Sequence, residues 1–317
     1  MVMDNPLALP LWMQVERCIA LYNMMQNSDF LLKLKAAASA TQACLADVLQ
    51  PFGGLPLAEG MRYAVGGGKG LRGFLVIESA AILGAPKAGA IYAGAAVEAL
   101  HAYSLVHDDL PCMDDDDLRR GQSTVHKKWD EATAVLVGDA LQTLAFELLS
   151  LPNCSPDPKV QLALISSLAR ASGAQGMVLG QAQDIAAETA LKPLTFHEIS
   201  QLQQNKTGAL FEWSATAGAV LIGSDSVPLR SYARALGLAF QISDDILDVE
   251  GSAVLVGKAV GKDSKSGKAT FVSLLGLDQA KRRAQDLADE ACDALVTFDD
   301  RATTLRAAAQ FVVSRDT

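Results

Sequence analysis

The chain has 317 residues, of which 50% are hydrophobic and 20% are charged, and its formal net charge at pH 7 is −9. This much apolar material supports a sizeable core and argues against global disorder, which requires low hydrophobicity. The acidic balance argues against nucleic acid as a partner, because binding to the phosphate backbone needs a basic surface. It leaves room for a small anionic substrate, which needs only a local group of basic residues.

The cysteine pattern and the N-terminus both favour a cytoplasmic protein. The five cysteines form no C-x-x-C pair, which excludes a zinc knuckle or a thioredoxin-type motif, and their odd number suits a reducing compartment. The apolar stretch 7–13 is preceded by Asp4 rather than by basic residues, so it is unlike a secretory signal. No apolar run reaches membrane-spanning length, so we expect no membrane association.

The periodicity of apolar residues predicts an all-α protein. Ala and Leu are abundant, and alternating β-branched residues are rare. Predicted helices lie, in chain order, at about 29–49, 71–83, 88–108, 131–150, 158–172, 175–188, 196–222, 227–248, 269–295 and 303–314. Clusters of Pro and Gly separate several of them, and no change in composition marks a domain boundary. We therefore predict a single-domain helical bundle.

The first 27 residues are predicted to be an N-terminal extension. The pair Ser28–Asp29 is a good helix N-cap and precedes the first strongly periodic segment. Residues 1–27 are then a disordered segment, a genuine N-terminal arm, or a stretch included because the start codon was assigned too early. The catalytic domain is expected to cover residues 28–317.

Two clusters of aspartates follow long apolar helical stretches. The first extends from His107 to Asp117, and the second from Ser243 to Asp248. In the second cluster, Asp244 and Asp248 are spaced i and i+4 and so share one helical face. In the first cluster, Pro111 should end or distort the helix. Asp114 can then fold back toward Asp108.

Carboxylates without nearby His or Cys ligands favour a hard divalent cation. Magnesium in particular keeps several waters and bridges to phosphate oxygens. A solvated acidic loop is the alternative for residues 114–117 taken alone, but two such clusters after separate apolar helices make it a weak one. An EF-hand is excluded, because a loop counted from Asp108 would place Met113 where glycine is required.

These clusters, with several shorter motifs in the same order, resemble the trans-isoprenyl diphosphate synthase family and most closely its bacterial farnesyl diphosphate synthases. The resemblance extends over roughly residues 29–315. The matching segments are Gly67-Gly68-Lys69-x-Leu71-Arg72, His101 to Asp109, Asp114, Leu118-Arg119-Arg120-Gly121, Gly138 to Leu141, Lys206-Thr207-Gly208, Phe240 to Asp248, Gly257-Lys258 and Gly267-Lys268.

The resemblance implies a bundle of mostly antiparallel helices of isoprenoid synthase type around a central cavity, with the Asp clusters facing each other across its mouth. It implies a magnesium-dependent head-to-tail condensation of isopentenyl diphosphate with an allylic diphosphate, giving farnesyl diphosphate, in a homodimer. Several Mg²⁺ ions would be held by Asp108, Asp114 and Asp244. Asp109 and Asp248 would contact these ions through water molecules or support the residues that bind them.

The resemblance also implies two separate diphosphate sites. The allylic diphosphate would be bound by Arg119, Lys206, Thr207, Gln241, Lys258 and Lys268. Isopentenyl diphosphate would be bound without metal by Lys69, Arg72, His101 and Arg120. Arginine suits bidentate phosphate contacts, and lysine suits point-charge contacts.

Product length is expected to depend on Tyr103 and Ser104. Ser104 lies one helical turn before Asp108, and Tyr103 is next to it. An aromatic residue at this position floors the cavity in the bacterial enzymes that the segment resembles. The chain departs from the family in Gly70 and Gly73, where Arg and Pro are usual, and in Phe271, where Tyr is common.

Three alternatives to a farnesyl diphosphate synthase are retained. A geranyl or geranylgeranyl diphosphate synthase would share the chemistry but differ in chain length. A terpene cyclase would share the fold but would not need an isopentenyl diphosphate site. A regulatory subunit of a heteromeric synthase would be inactive, and such subunits usually lose aspartates that are present here.

Overall fold

The computed structural model describes residues 11–190, 192, 194–250 and 270–314, with side chains from residue 28 onward. The helices of the first half are α1 (Leu11–Leu49), α2 (Pro56–Ala64), α3 (Leu71–Leu83), α4 (Lys87–Asp108), α5 (Val125–Lys128), α6 (Glu131–Ser150) and α7 (Pro158–Ser172). Those of the second half are α8 (Met177–Glu188), α9 (Phe196–Gln203), α10 (Ala209–Ile222), α11 (Val227–Glu250), α12 (Phe271–Leu275), α13 (Leu277–Ala294) and α14 (Thr303–Ser314).

Shorter elements complete the described chain. A π-helical segment (Gln204–Gly208) joins α9 directly to α10, and 3₁₀ segments lie at Gln50–Phe52 and Val296–Ala302. The strands β1 (Leu118–Arg119) and β2 (Gln122–Ser123) form an antiparallel hairpin between α4 and α5. The all-α class predicted from the sequence is confirmed.

Most predicted helices agree with the structure to within two residues, and the differences have local causes. Helix α1 begins at Leu11 rather than near residue 29, so residues 11–27 are helical. The division between an extension and a domain at residue 28 stays a prediction. The helix predicted at 269–295 is interrupted at Gly276, which separates α12 from α13. Its φ of 76° lies in the left-handed region, which glycine adopts readily.

Close backbone contacts position the helices that carry the site. A side chain at Gly218 of α10 would lie 2.5 Å from the backbone nitrogen of Ala80 in α3, and one at Gly94 of α4 would lie 3.4 Å from Gly73 Cα. The absence of side chains at these positions lets α3 pack closely on α4 and α10. The first turn of α3 is thereby held beside α4, whose last residue is Asp108.

Two apolar stretches correct the expectation that no segment reaches membrane-spanning length. Residues 131–150 and 158–188 are long and apolar enough by length and composition. The second stretch is divided between α7 and α8, and the first is α6, whose buried face packs in the core with α4. Core helices pass the same test, so these stretches are weak support for a membrane span.

Candidate active site

The first Asp cluster begins where α4 ends. The backbone N–H of Asp114 donates to the carbonyl of Asp108 over 2.8 Å, so the chain folds back after Pro111 as the sequence predicts. Asp115 has a φ of 49°, a left-handed conformation that aspartate tolerates better than most residues. The turn therefore returns the aspartate run to the end of α4.

Asp109 binds an arginine of the hairpin. Its Oδ1 accepts from both Nε and Nη2 of Arg119, each over 2.6 Å, and Asp116 lies 3.6 Å from the same Nη2. Asp109 is buried, with 4% of its side chain exposed, whereas 31% of Arg119 is exposed. Burial raises the pKa of Asp109 to about 6, and Arg119 acts in the opposite direction. Asp109 thus fixes the position of Arg119.

Asp108 lies among charges of both signs. Burial raises its pKa to about 6; Asp114 and Asp184 also raise it, and Lys206 and Arg119 lower it. Lys206 Nζ in turn forms a 2.7 Å ion pair with Asp184 of α8. Two of the predicted metal-binding carboxylates, Asp108 and Asp114, therefore lie in one electrostatically connected region with two predicted diphosphate-binding residues, Lys206 and Arg119.

The π-helical segment presents two adjacent side chains to different helices. Lys206 contacts Asp184 of α8, whereas Thr207 Oγ1 donates to Gln241 Oε1 of α11 over 2.8 Å. Gln241 is one turn before Asp244 on α11. π-Helical turns often occur at functional sites. Here the segment links the region of Asp108 to the helix that carries the second Asp cluster.

The second cluster divides its carboxylates between two roles. Asp245 Oδ2 accepts from the backbone N–H of Phe271 over 2.7 Å and so ties the start of α12 to α11. Asp244 is one of the charges that act on Arg72 of α3. Asp244 therefore lies close enough to Arg72 to act on its charge, whereas Asp245 is bound to the start of α12.

Three residues predicted to bind isopentenyl diphosphate come together between α3, α4 and the hairpin. Burial lowers the pKa of Arg72 to about 10 and moves the pKa of His101 well below its usual range. Arg120 acts on both residues in the same direction. His101 is therefore neutral at pH 7, and the positive charge comes from the two arginines.

Arg72 keeps one donor without a protein acceptor. Its guanidinium lies 5.2 Å from the centroid of the Phe211 ring, and its Nε is buried without a hydrogen-bond partner among the described residues. A buried, unsatisfied donor is costly unless a ligand pairs with it. Arg72 is thus suited to an incoming anion.

Arg120 is held in an unusual backbone conformation. It and Gly121 have φ values of 54° and 73°, which fit a two-residue turn of type I′. Its Nη1 donates to the carbonyl of Gly66 over 3.1 Å, and a side chain at Gly68 would meet its guanidinium at 3.0 Å. The glycine run therefore makes room for Arg120. A cavity of about 240 Å³ lies between this run, α4 and the hairpin.

The donor set fits magnesium. Among the residues that the structure describes, no three His, Cys, Asp or Glu side chains form a ready-made metal group. Magnesium does not require one, since it usually binds one or two carboxylates together with waters and substrate phosphates. Burial, and to a smaller extent Asp114 and Asp184, raise the pKa of Asp108, and a bound divalent cation would oppose this by stabilising the ionised carboxylates.

Tyr103 and Ser104 lie on α4 as predicted. Tyr103 is 8% exposed, and its ring packs edge-on against His107 with centroids 5.4 Å apart. His107 packs closely against Gly138 of α6. A side chain at position 138 would place its Cβ atom 2.0 Å from His107 Nε2, so glycine is needed there for the ring to fit. Ser104 Oγ donates to the carbonyl of His101 over 2.9 Å. The tyrosine is therefore packed in a fixed position one turn before the first Asp cluster.

Two predicted site residues lie outside the described part of the chain, and one further residue joins the site. Lys258 and Lys268, predicted to bind the allylic diphosphate, are the two outside the described residues. Asp184, by contrast, is brought into the site. Its spacing from Gln181 on one helix face was a weak sequence signal, and its ion pair with Lys206 depends on tertiary packing.

The helical fold and a site of carboxylates interleaved with cations place the protein among the all-α prenyltransferases. Residues 56–302 match the family model described as Polyprenyl synthetase. The chain belongs to this family.

Curated relatives include enzymes of two product lengths. The chain is 48% identical over 274 residues to the farnesyl diphosphate synthase of Haemophilus influenzae, covering 82% of this chain and 89% of the relative. It is 41% identical over 269 residues to geranylgeranyl pyrophosphate synthase 11, chloroplastic, of Arabidopsis thaliana, covering 82% and 75%.

Solved structures of similar proteins share the fold. An apo FPP/GFPP synthase from Zymomonas mobilis is 44% identical, with a TM-score of 0.83 over 91% of this chain and 100% of that one. A geranyltransferase from Helicobacter pylori, complexed with magnesium and isoprenyl diphosphate, is 32% identical, with a TM-score of 0.75 over 90% and 96%.

Proposed function

We propose that the protein is a magnesium-dependent cytoplasmic prenyltransferase that condenses isopentenyl diphosphate with dimethylallyl or geranyl diphosphate to give (2E,6E)-farnesyl diphosphate for isoprenoid biosynthesis. One observation supports this proposal above all: Asp108, Asp114, Lys206 and Arg119 form one network of charges. In that network, carboxylates suited to holding hard metal ions lie beside the Lys and Arg side chains that would bind a diphosphate leaving group. The name of the Haemophilus influenzae relative, farnesyl diphosphate synthase, agrees with the proposal.

In this proposal the allylic diphosphate lies between Arg119 and Lys206. Asp109 orients Arg119, Asp184 orients Lys206, and Gln241 holds Thr207 as a neutral partner. Negative charge grows on the diphosphate as the allylic bond breaks, so preorganised donors lower the barrier. The residues that would hold Mg²⁺ are Asp108, Asp114 and Asp244, with Asp248 acting indirectly. The metal, when bound, supplies Lewis-acid stabilisation of that leaving group.

The second diphosphate lies against Arg72, Arg120 and Lys69. The orphaned Nε of Arg72 and the neutral ring of His101 provide directional donors, and the glycine run allows the anion to approach the backbone. The double bond of isopentenyl diphosphate then attacks the allylic cation. This attack forms the head-to-tail carbon–carbon bond and leaves a cation on the isopentenyl unit, and loss of a proton to the departing diphosphate then restores a double bond there.

Product length is proposed to be fifteen carbons because Tyr103 closes the space along α4. A geranylgeranyl or geranyl diphosphate synthase is the second candidate, and the Arabidopsis relative favours the longer product. The packing of the Tyr103 ring against His107 favours a ring that stays in place at the end of the substrate cavity. Extending the chain past the ring would cost about 1–3 kcal/mol in overpacking.

A homodimer is proposed as the assembly, on the basis of family resemblance. Sedimentation velocity of the purified chain measures it directly. A monomer that shows full turnover would contradict the proposal.

The decisive experiment incubates the chain with Mg²⁺, labelled isopentenyl diphosphate and dimethylallyl diphosphate, and separates the dephosphorylated products by chromatography. We expect a fifteen-carbon alcohol, loss of activity with a chelator, and recovery with magnesium or manganese but not with zinc alone. A hydrocarbon from a prenyl diphosphate alone would indicate a cyclase. No product under any condition would indicate a regulatory subunit, and a twenty-carbon product would refute the farnesyl assignment.

A further inference from the structure

Glu98 links the two helices that border the isopentenyl diphosphate site. It lies on α4, three residues before His101, and its Oε1 accepts from the backbone N–H of Gly73 over 2.8 Å. Gly73 is in the first turn of α3, where N–H groups have no acceptor within the helix. A carboxylate at a helix N-terminus is also favoured by the helix dipole. Glu98 therefore holds the start of α3 against α4.

The same carboxylate acts on both arginines of the site. After burial, Glu98 has the largest effect on the pKa of Arg72 and on that of Arg120, and in each case it raises the pKa and so stabilises the charged guanidinium. It lines one small cavity together with His101 and Arg120. Two neighbouring guanidinium groups repel each other, so a shared carboxylate between them reduces the cost of holding them together.

We propose that Glu98 is a positioning residue that keeps Arg72 and Arg120 aimed at one diphosphate. The inference rests on the proposed function, since it concerns the site at which isopentenyl diphosphate would bind. Glu98 would repel the diphosphate if it touched it, so its role is exerted through the arginines. Its removal should weaken binding of isopentenyl diphosphate and leave the allylic diphosphate site unchanged.

The glycine at position 73 makes this arrangement possible. Proline, the usual residue of the family at this position, has no N–H to donate to Glu98. A Cβ atom at Gly73 would also lie 2.9 Å from Thr41 Cγ2 and 3.3 Å from Glu98 Cγ. Glycine at this position therefore allows the direct bond between α3 and the Glu98 carboxylate.

The test compares Glu98→Ala and Glu98→Gln with the wild type. We expect Glu98→Ala to raise KM for isopentenyl diphosphate about tenfold and Glu98→Gln about threefold, because glutamine keeps an oxygen for the Gly73 N–H. KM for the allylic diphosphate and kcat should stay within about twofold. Glu78→Gln is the matched control: Glu78 is a half-buried carboxylate of α3 that pairs with Lys33, away from the site, and its replacement should leave both KM values unchanged.

A second measurement does not depend on turnover. Inorganic diphosphate without metal should raise the melting temperature of the wild type and of Glu78→Gln more than that of either Glu98 variant. Unchanged KM for isopentenyl diphosphate in Glu98→Ala, or equal increases for both substrates, would overturn the inference. If Glu98→Ala does not fold, a normal KM in Glu98→Gln overturns it. If the wild type is inactive but diphosphate raises its melting temperature more than that of the Glu98 variants, the proposed function is refuted and the role of Glu98 is supported.

Discussion

The ion pair between Asp109 and Arg119 can be measured by a double-mutant cycle. The cycle consists of Asp109→Ala, Arg119→Ala and the double variant, and it isolates the interaction of the two side chains. Burial raises the pKa of Asp109 and offsets part of the pair's contribution. The coupling energy is therefore more informative than the stability of either single variant.

The geometry sets the expected magnitude. Two nitrogens of Arg119 contact one oxygen at 2.6 Å, and only 4% of the Asp109 side chain is exposed. Unit charges 4 Å apart near a protein surface interact by about 4 kcal/mol at an effective dielectric constant of about 20. Since 31% of Arg119 is exposed to water, we expect a coupling of about 2–3 kcal/mol.

Urea unfolding at pH 7.5, in a buffer without divalent cations, gives the four free energies of unfolding. The matched control is the pair of Asp117 and Lys127 in the same part of the chain, at 2.8 Å but with 73% and 45% of the side chains exposed. That cycle should give a clearly smaller coupling, because water and salt screen two charges that are both exposed. Equal couplings in the two cycles would refute the conclusion that burial makes the Asp109–Arg119 pair the stronger one.

Further predictions concern catalysis. Activity at limiting Mg²⁺ should fall as the pH is lowered through about 6, because Asp108 has its pKa raised to about 6 and binds a proton there; a profile flat to pH 5 would contradict this. In the metal-free protein, the raised pKa means that Asp108 binds a proton more readily in the folded state than in the unfolded state. The free energy of unfolding, measured in urea, should therefore gain a contribution from Asp108 as the pH falls from about 6 toward 4. Lys206→Ala should lower kcat about 100-fold with smaller changes in KM, and equal effects on kcat and both KM values would oppose a leaving-group role. Asp244→Ala should lower kcat by orders of magnitude while circular dichroism stays unchanged, whereas near-normal turnover would remove it from the metal site. Tyr103→Ala should shift the chromatographed products to twenty carbons and longer, and an unchanged fifteen-carbon product would refute the floor.

The helices could be predicted because they are long stretches rich in Ala and Leu, several of them separated by clusters of Pro and Gly. The sequence prediction missed α2, a nine-residue helix that begins at Pro56 beside a Gly-Gly turn and has little room for periodicity. It also placed a single helix at 196–222, where the structure contains a π-helical segment. Periodicity averaged over a window cannot reveal one extra residue in a turn.

The site was predictable where neighbours in sequence are neighbours in space. The return of Asp114 to Asp108 follows from Pro111 and is seen in the backbone. The partners of Lys206 and Arg72 were not predictable in this way. Asp184 precedes Lys206 by 22 residues and Glu98 follows Arg72 by 26 residues, so only the packing of α8 and α4 brings them together.

The π-helical segment also constrains how this chain can change during evolution. Each residue of an α-helix turns the chain by about 100°, so deleting one residue from Gln204–Gly208 would rotate α10 by that angle relative to α9. The buried face of α10, which includes Phe211, would then point away from the core, or Lys206 would point away from Asp184. Substitutions can accumulate here one at a time, but a change in length would have to be accompanied by compensating changes along the whole of α10.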